Sequence, residues 1–335
     1  MRELLPDLEN WLEAGERVAL ATVISTWGSA PRRAGSFMAI SESGGLVGSV
    51  SGGCVEGAVI QAAQEVIRTQ QAQRLHFGVA DETAWEVGLA CGGEIDVFVQ
   101  PASPALLNPL LARLKTDQNS ILTTVVSGPT GQLGVQELID SSGLSIAATN
   151  GALLSPQERE LLGKHAHIVP QGDRELFVNP LEAPPTLCMI GGGHIAVALS
   201  KIAGTLNFRT VIVDPRKLFA TTHRFSNVDQ LIQAWPKQAF QQHPLTSSTA
   251  VASLSHDPKI DDPALLAALT SEAFYVGALG SKKTQAKRRE RLLAAGLSAE
   301  NLARLHAPIG LEIGAESPEE IALSIMAQVI AAYRK

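Results

Sequence analysis

The sequence predicts an α/β protein of two units, in which an N-terminal α+β unit is followed by a doubly wound parallel sheet. A chain of 335 residues exceeds the size at which a single core usually stops growing, so two packed units are expected. From residue 186 onward, strand-like apolar runs alternate with helical patterns, as in a parallel sheet with right-handed crossovers. Before that point, strands and helices mix without strict alternation, which favours an α+β arrangement.

The first unit is expected over residues 1–180. Its clearest elements, read from hydrophobic periodicity, are a helix at 3–14, strands at 18–26 and 36–41, a helix from residue 56, and strands in RLHFG, EIDVFVQP and TTVVSG. Glycines and a proline predict a loop at 27–35 between the first two strands.

The weakest pattern covers residues 102–173. A hairpin is predicted across Pro129–Gly131. A short helix is predicted after Ser155, with Ser155 as N-cap and Glu158 closing a capping box. The proline-rich stretch 177–185 is expected to link the two units.

The second unit is expected over residues 185–335. Its alternating elements are strands at 186–191, 208–214, 249–255 and 273–280, and helices at 192–206, 263–271, 283–296 and 317–335. The last helix carries its own start signal, in which Ser317 is the N-cap, Pro318 follows, and Glu320 completes a capping box.

Composition excludes several classes of function. The chain has 27 basic and 33 acidic residues, a net charge of −6, which argues against a general nucleic-acid binder. Aromatic residues make up only 4%, too few for a platform that stacks single-stranded bases. The sequence has no run of about 18 apolar residues to span a bilayer, and its acidic start is unlike a signal peptide. A cytoplasmic location is therefore expected.

A dinucleotide fingerprint opens the second unit. Gly191-x-Gly193-x-x-Ala196 lies between a predicted strand and helix, the context that this motif requires. Asp214 ends the next strand, where an acid would bind a ribose hydroxyl, and Arg216 could instead meet a phosphate. The alternative is a Rossmann-type fold whose loop binds no dinucleotide.

Three cationic or titratable residues stand at helix starts in this unit. His194 places an imidazole at the start of the first helix, where it faces either a ligand or solvent. Lys282 and Lys283 begin a later helix, and cations at a helix N-terminus oppose the helix dipole. The lysine pair is therefore either a solvated helix start or a partner for an anionic ligand.

The strongest chemical signal in the first unit is the loop that contains Cys54. Gly52 and Gly53 precede this cysteine at the start of a helix, where free backbone N–H groups would favour a thiolate. Glu56 could act as a base or cap amides of the first turn. The alternative for Cys54 is a small buried side chain in a packed turn.

The other two cysteines carry weaker signals. Cys91 repeats the Cys-Gly-Gly order before a predicted strand, which is also typical of a tight turn. Cys188 lies inside a predicted strand and is expected in the core. Three cysteines are too few for a disulfide framework, and no C-x-x-C or H-E-x-x-H motif indicates a zinc site.

Several of these stretches together resemble the XdhC/CoxF-type accessory family of xanthine dehydrogenase and related molybdenum hydroxylases. The matching segments are ATVISTWGSAPRRAGSFMAI, GSVSGGCVEGAV, LACGGEIDVFVQP, IGGGHIAVAL, VIVDPRKLFATTHRF, YVGALGSKKTQAKR and HAPIGLEIGAESPEEIALSIMA. The resemblance implies an XdhC/CoxI-like domain followed by a Rossmann-like domain.

The resemblance also implies a function, that of a non-catalytic chaperone for the molybdenum cofactor. Such a protein binds the pterin-bound metal, protects it during sulfuration and assists its insertion. The implied partners are an apo-hydroxylase, a cysteine desulfurase and a cofactor nucleotidyltransferase, and the chain is expected to form a homo-oligomer such as a dimer. The alternative is an NAD(P)-dependent oxidoreductase that uses the Rossmann domain.

The expected ligand is molybdopterin or its cytosine dinucleotide form. Molybdenum accepts soft thiolate ligands, so Cys54 is the expected contact to the metal. Glycine loops and helix starts suit phosphate groups, so one elongated ligand is expected to use both loops. The full set of expected cofactor-binding residues is Gly52, Gly53, Cys54, Glu56, Cys91, Gly191, Gly193, His194, Asp214, Lys282 and Lys283.

Overall fold

The computed structural model divides the chain into two compact units, Met1–Ala183 and Pro184–Lys335. The residues that the structure describes are 1–29, 32–78, 93–159, 162–163 and 165–334. Among them, every helix is too short or too polar to cross a membrane.

The first unit begins with an antiparallel sheet of five strands. Its elements are α1 (Leu5–Glu13), β1 (Val18–Trp27), β2 (Phe37–Ser41), β3 (Leu46–Gly48), α2 (Glu56–Thr69), β4 (Gln73–Phe77) and β5 (Glu94–Pro101). The strand order is β3-β2-β1-β5-β4. The predicted helices and strands of this region are confirmed. Strand β3 was not predicted, because it is short and lies in a glycine-rich stretch without alternation.

The register of this sheet places two loops at one end. Strand β1 ends at Trp27, opposite Glu94 at the start of β5. Strand β2 starts at Phe37, and Met38 pairs with Gly48 at the end of β3. The loops after β1 and after β3 therefore leave the sheet at the same end, and the second of them carries Cys54.

Helix α2 is held on the sheet by its apolar face. Val59, Ala63 and Val66 recur at helical spacing and are fully buried against strand residues such as Ala19 and Val97. This packing anchors the start of the helix, and with it the loop that precedes Glu56.

A second antiparallel sheet of five strands completes the first unit. Its elements are α3 (Pro104–Lys115), β6 (Ser120–Ser127), β7 (Gln136–Asp140), β8 (Ser145–Ala148), α4 (Pro156–Arg159), β9 (His167–Gln171) and β10 (Arg174–Leu181). The order is β8-β7-β6-β10-β9. The predicted hairpin is confirmed as the pair β6 and β7. Ser155 and Glu158 form the predicted reciprocal hydrogen bonds.

Residues 177–181, which were predicted to belong to a linker, instead form the end of β10. Pro180 pairs with Ile121 of β6 on one side. On the other side, the pairing with β9 stops at Val178. Pro180 therefore faces no β9 residue that would need a hydrogen bond from its backbone nitrogen, which carries no hydrogen. A proline at such a position is compatible with a strand, and this is why the composition was misleading.

The second unit is a six-stranded parallel sheet. Its elements are β11 (Thr186–Ile190), α5 (His194–Thr205), β12 (Arg209–Val213), β13 (Gln230–Ile232), α6 (Pro236–Gln242), β14 (Thr249–Ser253), α7 (Pro258–Leu269), β15 (Tyr275–Ala278), α8 (Lys282–Ala294), α9 (Ala299–Ala303), β16 (Leu305–His306) and α10 (Pro318–Tyr333). The order β13-β12-β11-β14-β15-β16 confirms the predicted doubly wound fold. The capping box of Ser317 and Glu320 is also confirmed.

Two apolar cores cover the two faces of this sheet. One packs α5 and α10 on the strands, and the other packs α7 and α8 on the opposite face. Strand β11 lies between β12 and β14, so the direction of winding reverses there. Ligands of such sheets bind beyond the carboxyl ends of the strands at that reversal, which is where the glycine loop of residues 191–193 lies.

Candidate functional site

The loop before α2 is organised by the carboxylate of Glu56. The amides of Ser51, Gly52 and Gly53 donate hydrogen bonds to this carboxylate over 2.9, 2.9 and 2.8 Å. The hydroxyl of Ser49 donates to it over 2.7 Å, and the hydroxyl of Ser51 donates to its other oxygen. A single side chain therefore holds three consecutive backbone amides.

The hydroxyl of Ser51 engages the next two amides. Its oxygen accepts hydrogen bonds from the N–H groups of Cys54 and Val55, each over 3.0 Å. All five amides from residue 51 to residue 55 thus have partners within the loop. The expectation of free N–H groups around the thiol of Cys54 is not met, because side chains of the same loop satisfy them.

The electrostatics of Glu56 decide between the two roles considered for it. Partial burial disfavours its charged form, but hydrogen bonds from Ser51 and Ser49 and from the loop backbone outweigh burial and lower the pKa to about 2. A carboxylate with such a low pKa is a weak base at neutral pH. Glu56 therefore caps the amides and fixes the loop.

Cys54 carries the thiol of this loop. Its side chain is partly exposed and packs at the margin of the core that includes Val55 and Val59. A Cβ placed at Gly53 or Gly57 would meet no atom within 4 Å, so there is open space on either side of the cysteine. A ligand can therefore approach both the thiol and the adjacent backbone.

The predictions for the two other cysteines can be compared with the structure at only one of the two positions. Cys91 lies outside the described residues. Cys188 is a buried residue of β11, as predicted, and burial raises the pKa of its thiol to about 12. Within the described part of the chain, no group of three or more His, Cys, Asp or Glu residues could hold a metal ion.

In the second unit, the three consecutive glycines at 191–193 differ in what surrounds them. Gly191 has φ of +102°, and a Cβ there would lie 2.7 Å from Cα of Ser255. A Cβ at Gly192 would lie 2.6 Å from the carbonyl oxygen of Phe219. A Cβ at Gly193 would meet nothing within 4 Å. Close packing therefore requires the first two glycines, whereas the third faces open space.

Helix α5 begins directly after Gly193, next to this open space. Gly193 is its N-cap and supplies no side-chain cap, so the first-turn amides have no side-chain acceptor from that residue. His194 is exposed as the first helical residue, and Ala196 is fully buried where the helix packs on the sheet. This arrangement leaves the start of α5 accessible to an anionic group.

The carboxylate of Asp214 is engaged by other groups of the second unit. Its side chain is 0% exposed, and it accepts the amide hydrogen of Gly192 over 2.8 Å. Arg216 donates to both carboxylate oxygens, through Nε over 2.9 Å and Nη2 over 2.7 Å. The carboxylate therefore ties the glycine loop to the segment after β12, and neither oxygen is left facing a ribose.

The predicted lysine pair divides between two environments. Both side chains are exposed at the start of α8, but only Lys283 borders a cavity of about 190 Å³. His256 also borders this cavity. Sequence reasoning missed three other residues that line it, namely Lys287, Arg288 and Arg291. Their signal was present in the run KKTQAKRRER, where basic residues recur every three or four positions on one helix face.

Each unit thus offers one kind of chemistry. The first presents a partly exposed thiol in a rigid loop with open space beside it. The second presents a helix start and a basic cavity at the carboxyl ends of parallel strands, both suited to anionic groups. A soft metal centre matches the first arrangement, and a phosphate matches the second.

Two family models match the chain. The model described as XdhC and CoxI family matches residues 11–78, and the model described as XdhC Rossmann domain matches residues 187–329. Together they cover more than half of the sequence and one lies in each unit.

Several known proteins are similar to nearly the whole of this chain. The chain is 28% identical over 334 residues to a probable xanthine dehydrogenase subunit of Bacillus subtilis, with 96% of this chain and 95% of that protein covered. It is 27% identical over 324 residues to the molybdenum cofactor insertion chaperone PaoD of Escherichia coli, with 95% and 84% covered. A crystal structure described as a xanthine dehydrogenase from Bacillus halodurans matches with a TM-score of 0.81 and 25% identity, over 98% of this chain and 95% of that one.

Proposed function

We propose that this chain, which belongs to the XdhC and CoxI family, is a molybdenum-cofactor chaperone. It binds the cofactor, protects it while it acquires a terminal sulfido ligand, and delivers it to a hydroxylase of the xanthine dehydrogenase type. The observation that carries the proposal is the accessible thiol of Cys54 in a rigid glycine loop. The name of the Escherichia coli relative supports it.

Cys54 is proposed as the contact to the molybdenum end of the cofactor. Molybdenum is soft enough to accept a thiolate, and the thiol lies beside the open space at Gly53 and Gly57. The bonds from the loop to Glu56 hold the backbone in place before the ligand arrives, so little ordering is needed on binding. Because the amides of residues 51–55 are already engaged, they offer no free N–H group to a phosphate.

In the second unit, considered by itself, we propose the start of α5 as a site for a phosphate group. Gly193 and the first turn of α5 provide an accessible helix start, and His194 is exposed beside it. The start of α5 is therefore suited to the phosphate group of such a cofactor.

The proposed partners follow from the proposed cargo. An apo-hydroxylase would receive the cofactor, a cysteine desulfurase would supply the sulfur, and a nucleotidyltransferase would act where the cofactor is a cytosine dinucleotide. A homo-oligomer is the proposed assembly. The rigid loop around Cys54 supports a role in holding the cofactor and not in turning over a substrate.

The alternative of an NAD(P)-dependent oxidoreductase gains no support from the second unit. The acid that would bind the ribose, Asp214, is buried and bonded to Gly192 and Arg216. Glu56, the candidate base of the first unit, has a pKa of about 2 and caps backbone amides. We therefore propose a non-catalytic role.

The experiment that tests this function is purification of the full chain from cells that make the cofactor. Bound molybdenum and oxidised pterin fluorescence are measured, and the loaded protein is then mixed with an apo-hydroxylase. We expect both metal and pterin to be retained and the hydroxylase to gain activity. Absence of both metal and pterin, or nicotinamide turnover without them, would contradict the proposal.

A further inference from the structure

We infer that the cavity at the start of α8 is a binding site for a phosphate or pyrophosphate group. This cavity, called here the α8 pocket, has a volume of about 190 Å³. Its lining includes His256, Lys283, Thr284, Lys287, Arg288 and Arg291. Four of these six side chains are cationic at neutral pH, and they converge on one small space.

The two lysines of the α8 pocket, Lys283 and Lys287, form no ion pair with the described residues that would give them a structural role. Lys283, Lys287 and Arg291 recur every four residues, so their like charges share one helix face and repel. Lys283 also lies in the first turn, where a cation opposes the helix dipole. Neither lysine has a carboxylate partner in the described part of the chain. A bound anion would offset each of these unfavourable terms.

The two arginines are held differently and form the fixed part of the α8 pocket. Arg291 makes a two-pronged pair with Asp262, with distances of 2.6 and 3.0 Å. Arg288 is only 2% exposed and reaches Asp261 over 3.2 Å. The two carboxylates therefore balance the two arginines, and the lysines supply the excess positive charge.

One hydrogen-bond donor of Arg288, its Nε–H group, has no acceptor among the described residues. Its Nη1 donates to the carbonyl of Leu279 over 3.0 Å and to Gln285 over 2.7 Å. Its Nε is buried and has no hydrogen-bond partner among the described residues. A buried guanidinium donor without an acceptor is costly, and it points to an acceptor that the protein itself does not supply.

The α8 pocket is adjacent to the glycine loop. Ser255 lies against Gly191, and its hydroxyl donates to Asp261 over 2.6 Å. Asp261 in turn holds Arg288, and the next residue after Ser255 is His256, which lines the pocket. The pocket thus lies at the carboxyl ends of β14 and β15, the edge at which such sheets bind ligands.

Size limits what the α8 pocket can hold. Pockets for whole drug-sized ligands occupy about 300–1,000 Å³. A volume of about 190 Å³ suits one phosphate or pyrophosphate and not a complete pterin dinucleotide. Such a group belongs either to the molybdenum cofactor or to a free nucleotide or inorganic phosphate. The first of these sources rests on the proposed function.

The test is calorimetric titration of the full chain, free of cofactor, with inorganic phosphate and with pyrophosphate at low salt. Pyrophosphate is expected to bind, and Lys287→Ala and Lys283→Ala are each expected to weaken it about five- to tenfold. The control is Lys201→Ala, which removes an exposed lysine of α5 that does not line the pocket. Added salt should weaken binding to the wild type.

Two results would overturn the inference. One is no pyrophosphate binding to the wild type. The other is an equal affinity for pyrophosphate in the wild type, Lys287→Ala and Lys283→Ala, when thermal unfolding curves show that all three proteins are folded. Both lysines are exposed, so their loss should leave the fold intact.

A second titration identifies the source of the phosphate. If the cofactor-loaded chain no longer binds pyrophosphate, the pocket holds the phosphate of the cofactor. If it binds pyrophosphate as before, the pocket serves a separate phosphate ligand. A chain that retains no cofactor would contradict the proposed function, yet the titrations of the cofactor-free protein would still decide whether the α8 pocket binds phosphate.

Discussion

The amide of Gly53 donates a hydrogen bond to the carboxylate of Glu56 over 2.8 Å, and Cys54 lies between these two residues in the chain. The thiol of Cys54 remains partly exposed while the backbone on both sides of it is fixed. The loop is therefore built around an ionised carboxylate, and its rigidity does not depend on the thiol.

Glu56→Gln should loosen this loop. A neutral amide accepts weaker hydrogen bonds than a carboxylate, so we expect a local loss of about 1–2 kcal/mol. Hydrogen exchange of the amides of residues 51–53 should become faster. The matched control is Glu65→Gln on the same helix, which removes only an exposed pair with Arg68 and should leave those amides unchanged.

The contribution of Glu56 should depend on pH in a defined direction. Its pKa is about 2 in the folded protein, below the value of about 4.3 expected for an unfolded chain. The carboxylate therefore stabilises the fold above pH of about 4.3, and this stabilisation is lost as the pH falls towards about 2. The difference in exchange between wild type and Glu56→Gln should narrow over that interval. A difference that is constant with pH would argue against the ionised cap.

Cys54→Ala should abolish retention of the molybdenum cofactor without unfolding the protein. The side chain is partly exposed and lies at the margin of the core, so its truncation costs little packing. Cys188→Ala should do the reverse, retaining the cofactor while costing about 1–2 kcal/mol as a core truncation. Pterin content and thermal unfolding are measured on both variants. Undiminished pterin in Cys54→Ala would exclude Cys54 as the contact.

Gly193→Val should weaken binding of a phosphate-bearing ligand more than it weakens the fold. There is open space at this position and φ is −72°, so valine fits at a cost of about 1 kcal/mol for a poorer N-cap. Gly192→Ala should instead destabilise the second unit by about 3 kcal/mol, because its Cβ would collide with the Phe219 carbonyl. Thermal unfolding and titration with NAD, CTP and a pterin dinucleotide check both variants. If none of these binds the wild type, the loop is only structural.

Asp214→Asn should act on stability and not on nucleotide preference. The variant weakens the bonds to Gly192 and Arg216, and we expect a loss of about 2–3 kcal/mol. Arg216→Ala should cost at least as much, because it leaves the buried carboxylate of Asp214 without its cationic partner. Urea unfolding and NADH titration test this. Selective loss of NADH binding with unchanged unfolding would show that Asp214 contacts a ribose.

Hydrophobic pattern alone predicted four of the six strands of the parallel sheet in the second unit, and the two short edge strands β13 and β16 were not predicted. Strands buried on both faces are continuous apolar runs, and TLCMIG and FRTVIVD are such runs between clear helical patterns. The helix start at Ser317 was equally readable, since a capping box involves only residues three apart.

The second sheet of the first unit was not predictable beyond its hairpin. Strands β8 and β9 are four and five residues long and only partly buried, so no strong alternation marks them. Proline inside β10 suggested a linker, and only the end of the neighbouring strand at this point makes it acceptable.

The sequence by itself determined which residues could carry chemistry, namely Cys54, the glycine loop and the lysines of α8. Only the tertiary structure decided what each one faces. Asp214 has the expected position, but Arg216 and Gly192 occupy its oxygens. Arg288 looks like one more surface cation in the sequence, yet it is buried beside Asp261, which is 27 residues away in the chain. Motifs depend on local spacing, whereas charge, burial and free donors depend on neighbours that come from distant segments of the chain.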